Sequence, residues 1–202
     1  MQNNKINLFI SLVIILAACF AGQANAKQLF MPIGGYTSQP IGHYEFCRRL
    51  PAECAVRTAH PRPLELTRSV WKTLVDVNNH VNTTIIPKTD MEVWGQEEYW
   101  GYPVKGEGDC DDMVLEKRRL LLERGIPVND LLITVVRLPN GEGHAILTVT
   151  TDLGDFILDN LEPRILQWTD TDYEFLKRQS ELHTGRWVSI KERPDEYVGS
   201  VK

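Results

Sequence analysis

HAILTVTTDLGDFILD, residues 144 to 159, reads as two strands joined by a turn, with His144 to Thr150 and Asp155 to Asp159 on either side of Thr151 to Gly154. With a four-residue connection Thr150 pairs with Asp155, so Asp159 falls opposite Ile146, one diagonal step from His144 and on the same face. Diagonal neighbours in an antiparallel pair lie about 7–8 Å apart at the backbone, within reach of a carboxylate–imidazole hydrogen bond. Asp155 shares that face but lies about three pairs away, so Asp159 is the better partner for His144.

Working outward, Leu131 to Leu138 reads as a third strand, followed by a turn over Pro139 to Gly143. Upstream, residues 109 to 124 form a predicted helix. Asp109 suits its N-cap, acids fill its first turn, bases its later turns, and Gly125 with Pro127 ends it. An earlier helix is predicted from Pro63 to about Val81, where Leu66, Val70, Leu74, Val77 and Val81 recur at spacings of three and four. Residues 82 to 108 read mostly as loop, rich enough in aromatics to pack over something. A helical segment over 172 to 182 and a last strand over 186 to 190 complete the pattern. Helices come first and an antiparallel sheet follows, which defines an α+β domain.

The predicted helix 109–124 carries the residue that draws the chemistry. Cys110, Met113, Val114 and Leu121 fall on one stripe, so the thiol faces inward from the first turn, where free backbone N–H groups and the helix dipole favour an anion. Asp109, Asp111 and Asp112 oppose a thiolate there, so its formation needs a proton acceptor such as His or a cation that neutralises the carboxylates. A plain structural reading makes Cys110 a small core residue and the aspartates ordinary helix-start residues. The register of the hairpin favours more: Cys110, His144 and Asp159 supply nucleophile, proton shuttle and orienting carboxylate for acyl transfer. The Cys110 backbone N–H is an oxyanion donor. Trp94 or Trp100 offers an indole N–H as the second, or else both close over the site as a hydrophobic lid. His43, His60, His80 and His183 lack a comparable setting, and His80, among asparagines at a helix end, reads as surface or cap.

At 202 residues and 43% hydrophobic, the chain is long and apolar enough for one core. Lys5, the apolar run Leu8 to Phe20 and Ala24-Asn25-Ala26 predict a signal peptide over residues 1–26. Leu16-Ala17-Ala18-Cys19 also fits a lipobox acylated at Cys19, and either route exports the protein. Loss of Lys5 leaves 21 bases against 27 acids, which argues against nucleic acid as a partner. Of the cysteines that remain, Cys47 and Cys54 are expected to form a disulfide. A straight helix would hold them about 10 Å apart, but Pro51 breaks the path between them. This pins an arm over residues 27–62, leaves Cys110 unpaired, and assigns 63–202 to the main domain.

Gly108-Asp109-Cys110-Asp111-Asp112, His144-Ala145-Ile146-Leu147 and Ile157-Leu158-Asp159-Asn160, in that order, resemble the bacterial transglutaminase-like cysteine proteinases, whose LapG-type members are periplasmic proteases. The resemblance covers roughly residues 65 to 190. It implies a papain-like, transglutaminase-type core, with Cys110 as nucleophile, His144 as general base and acid, Asp159 as orienting acid, and calcium dependence requiring the acids beside Cys110. Asp109, Asp111 and Asp112 are the candidate ligands, completed by Glu107 or by carbonyls of the preceding loop, because calcium takes clustered hard oxygens. The resemblance further implies a protein substrate such as a surface adhesin, a regulatory inner-membrane receptor and a periplasmic location. Two other readings use the same residues: amide cross-linking or deamidation, with an amine acceptor for the former, and a calcium-dependent binding module with an idle triad.

Overall fold

In the computed structural model, residues 28–191 are described; the expected signal peptide and the Cys19 lipobox lie outside them. The elements run β1 (Ile33–Thr37), α1 (Ile41–Arg49), α2 (Pro51–Cys54), α3 (Arg68–Thr84), β2 (Ile86–Pro87), α4 (Asp90–Trp94), β3 (Glu107–Gly108) and α5 (Cys110–Glu123). After α5 come β4 (Leu131–Arg137), β5 (Gly143–Thr151), β6 (Gly154–Leu158), β7 (Leu166–Gln167), β8 (Glu174–Ser180) and β9 (His183–Ile190). Seven strands form one antiparallel sheet in the order β1-β9-β8-β4-β5-β6-β7, while β2 and β3 make a short parallel pair. The α+β expectation is met.

The alternation of β4 and β5 divides the interior into two layers. Ile133, Ala145, Leu147, Val149 and Leu158 pack with Leu74, Val77 and Val81 of α3 and with Met113, Val114 and Leu121 of α5. On the opposite face Val136, Ile146, Ile157 and Ile190 gather around Trp168 and Met31. Thr134 and Thr148, buried side by side on that face, satisfy one another through a 2.6 Å hydroxyl hydrogen bond.

The hairpin register agrees with the sequence: Thr150 pairs with Asp155 and Leu147 with Leu158. Pairing continues to Thr151 and Gly154, so the turn proper is only Asp152-Leu153. The helix expected from Pro63 to about Val81 is α3, which begins later, at Arg68, because the hydroxyl of Thr67 accepts the Val70 N–H and caps it there. The segment expected to be helical over 172–182 is instead β8. Its apolar residues do not recur at helical spacing, and its backbone bonds to β4 on one side and β9 on the other. Gln179, buried there, accepts the Ile133 N–H and donates to the Thr184 carbonyl.

Of the arm expected over 27–62, the described residues 28–62 join the body of the domain. β1 is an edge strand of the main sheet, and Phe46 of α1, 1% exposed, belongs to the core. The break at Pro51 folds α2 back so that Cys47 and Cys54 stand 5.5 Å apart at Cα and form the expected disulfide. This unit grips the segment before α5. Arg49 donates to the Trp100 carbonyl and lies over the Tyr99 ring, and Gly42 lets α1 meet Trp100, since a Cβ there would come within 2.2 Å of the indole.

Candidate active site and acidic cluster

Cys110 opens α5, and His144 sits at the start of β5, against which α5 packs. The two residues line one cleft of about 320 Å³ with Pro40, Trp100, Val135 and Ala145. His144 donates from Nε2 to Asp159 Oδ1 at 2.8 Å, which fixes the proton on that nitrogen and leaves Nδ1 as the acceptor. Asp159, 1% exposed, accepts the Leu161 N–H on the same oxygen and the Tyr173 hydroxyl on Oδ2. Burial alone would raise its carboxyl, but these hydrogen bonds, His144 first, hold it below the usual aspartate range. Asp155 is occupied elsewhere, accepting the Met31 N–H at 2.8 Å.

The Cys110 thiol is pushed up to about 12, first by burial and then by the Asp111 carboxylate, with Asp109 adding to it. Backbone N–H groups of Ala145 and Asp111 hydrogen-bond the sulfur and oppose this rise. Cys110 is free, as expected, and partly accessible.

The three aspartates part company. Successive helical residues diverge by about 100°, whereas residues three apart share a face. Asp109 and Asp112 therefore meet Asp90 of α4, and their carboxylate oxygens lie within 4.8 Å of one another; Asp111 groups instead with Asp109 and the Cys110 sulfur. Asp90 was not anticipated from sequence; the legible signal was Thr89-Asp90-Met91-Glu92, whose capping box starts α4 and presents Asp90 inward. Glu107 is engaged elsewhere, in a 2.8 Å ion pair with Lys88.

Each carboxylate of the cluster keeps one oxygen without a hydrogen bond: Asp90 Oδ1, Asp109 Oδ1 and Asp112 Oδ2, all shielded from solvent. The remaining oxygens of Asp90 and Asp112 are held by the backbone N–H groups of Tyr99 and Gly101. Asp109 occupies the N-cap position as expected, yet its side chain makes no capping hydrogen bond. Burial, aided by mutual repulsion, raises Asp90 to about 6 and Asp112 to about 7, against the backbone donors. Gly108 lets the chain pass this close, because a Cβ would stand 2.6 Å from Asp112 Oδ2. Three converging, unsatisfied hard oxygens fit calcium by donor type.

Neither tryptophan presents a second oxyanion donor to the cleft in this arrangement. The Trp100 indole N–H is donated to Glu98 at 3.0 Å while its ring walls the cleft; Trp94 packs on Tyr99, and its indole N–H, buried without a hydrogen-bond partner, belongs to a residue that does not line the cleft. Among the other histidines, His80 is exposed at the end of α3, while His43 is buried between Trp100 and Trp187 beside the disulfide.

A model of the bacterial transglutaminase-like cysteine proteinases matches residues 33–195. Three solved structures of Legionella pneumophila LapG align at a TM-score of 0.50. One is 29% identical over 59% of this chain and 68% of its own; a calcium-bound form is 26% identical over 65% and 75%; an EGTA-treated form is 27% identical over 61% and 68%. None of the curated proteins matches. The chain therefore belongs to the bacterial transglutaminase-like cysteine proteinase family.

Proposed function

We propose that this cysteine proteinase is an exported endopeptidase working through Cys110, His144 and Asp159. The carrying observation is the 2.8 Å His144–Asp159 hydrogen bond on a cleft that His144 shares with the thiol of Cys110. His144 Nδ1 takes the thiol proton, and the sulfur attacks the scissile carbonyl carbon. The Cys110 backbone N–H, free at the helix start, faces the developing oxyanion. The imidazolium then protonates the leaving amine as the C–N bond breaks, giving a thioester. Water, deprotonated by His144, attacks the thioester; the acid product leaves and the proton returns to sulfur. Asp159 keeps the proton on Nε2 throughout.

Calcium on Asp90, Asp109 and Asp112 would neutralise the carboxylates that oppose a Cys110 thiolate. The calcium-bound and EGTA-treated forms of the Legionella pneumophila LapG relative support this reading. By the same family likeness, the substrate is a protein at the cell surface, with an adhesin the first candidate, the location is periplasmic, and an inner-membrane receptor controls access.

Two measurements test the reading. Iodoacetamide labelling of Cys110 in mature protein should be fast, calcium-stimulated and dependent on His144. New protein N-termini should appear in the cell envelope with wild type and be missing with Cys110→Ala. Slow labelling under every condition, together with identical N-termini in both strains, would refute the assignment.

A further inference from the structure

Lys117 is wholly buried, at 0% exposure, in the middle of α5, and its ammonium makes no hydrogen bond to any described residue. It follows Cys110 by seven residues and therefore lies on the same face of the helix, about 10 Å along its axis. Asp159 is the charged group that supports it, without a direct ion pair; burial outweighs that support and pulls the lysine down to about 7. From α3, Asn82 donates to the Asp159 carbonyl at 2.7 Å and Asn78 to the Pro163 carbonyl at 3.1 Å, fixing the segment that carries Asp159. The backbone around Asp159 is thus held from α3, and the charge beside it comes from α5.

An unpaired ammonium inside a core destabilises a fold, and a methionine of similar length would fill the space without that penalty. A lysine here, with Asp159 as its charged neighbour, therefore calls for a role other than stability. We infer that Lys117 is a positioning residue whose buried cation sets the electrostatic balance of the Asp159–His144–Cys110 system. This rests on the peptidase reading. A positive charge near Asp159, on the face of α5 that carries Cys110, favours the negative charge that gathers on the sulfur during attack.

The test is the rate of Cys110 alkylation by iodoacetamide at a single pH in calcium-loaded mature protein, with thermal unfolding measured in parallel. Lys117→Met should melt at the wild-type temperature or higher, while its alkylation slows about tenfold, the scale expected for loss of one nearby charge at protein-like dielectric. Lys117→Arg keeps a cation and should keep the wild-type rate, even where its larger side chain lowers the melting temperature. A wild-type rate in Lys117→Met, or an equal loss of rate in both variants, would overturn the inference. Failure of the peptidase reading is separately visible: wild type itself would then alkylate no faster than free cysteine, with no dependence on His144.

Discussion

Replacing Cys47 and Cys54 together by alanine tests whether the first two helices brace the cleft. The cross-link closes a loop of seven residues in sequence separation, and the chain-entropy relation gives about 2–3 kcal/mol for a loop that short. For a domain of this size that corresponds to a fall in melting temperature of about 5–10 °C. The effect should reach the acidic cluster. Arg49 of α1 holds the Trp100 carbonyl, and the neighbouring Tyr99 and Gly101 N–H groups orient Asp90 and Asp112. Thermal unfolding of the double variant against oxidised wild type, with calcium titration calorimetry on both, separates the two claims. The double substitution is needed because a single one would leave a thiol able to pair with Cys110. A melting temperature lowered by less than about 2 °C would refute the loop-entropy argument. Unchanged calcium affinity in a destabilised variant would refute the relay from α1 to the cluster.

Asp90→Asn should weaken calcium binding at least tenfold by calorimetry, since one of three converging carboxylates loses its charge, while Glu107→Gln should leave it unchanged. Asp159→Asn should slow turnover by about 10³–10⁴-fold through loss of the His144 tautomer, whereas Asp155→Asn should not, judged by N-terminal release in the envelope. Asp130, buried and 2% exposed, is raised to about 7 by burial and by Glu181. A carboxyl held above its unfolded value stabilises the fold most below pH 4, and that contribution is lost as pH rises to 7. Asp130→Asn should therefore flatten the fall in stability over this window by roughly 3 kcal/mol in urea titrations; an unchanged slope would show that Asp130 does not carry it.

The hairpin and the helix after Asp109 were legible because short-range rules govern them: a period of two, a turn, a capped start, a glycine stop. Those rules place Asp159 within reach of His144, and the hydrogen bond is there. β8 was not legible. Glu174 to Ser180 carries a mixed polar pattern, and its conformation is set by two neighbouring strands far away in sequence. Asp90 was missed for a related reason, lying 19 residues before Asp109 and brought to it by the fold of the intervening loop. The separation of Asp111 from Asp109 and Asp112 was in principle readable, because helical spacing assigns positions three apart to one side.

The acidic start of α5 presents two opposed effects whose sizes decide what Cys110 requires. A helix N-terminus favours an anion by about 0.3–1 kcal/mol. The rise of the thiol from 9.0 to about 12 corresponds to about 4 kcal/mol in the other direction. The dipole and the first-turn N–H groups therefore cannot produce a thiolate near neutral pH. His144 can supply part of the difference as the imidazolium of an ion pair, with Asp159 stabilising its charge. The remaining obstacle is the negative charge at Asp109 and Asp111, and Asp109 belongs both to the group around the sulfur and to the one formed with Asp90 and Asp112. A cation held by Asp90, Asp109 and Asp112 would act on the sulfur through that shared carboxylate. On this reading the same acids that keep the thiol protonated without the ion make its reactivity depend on one.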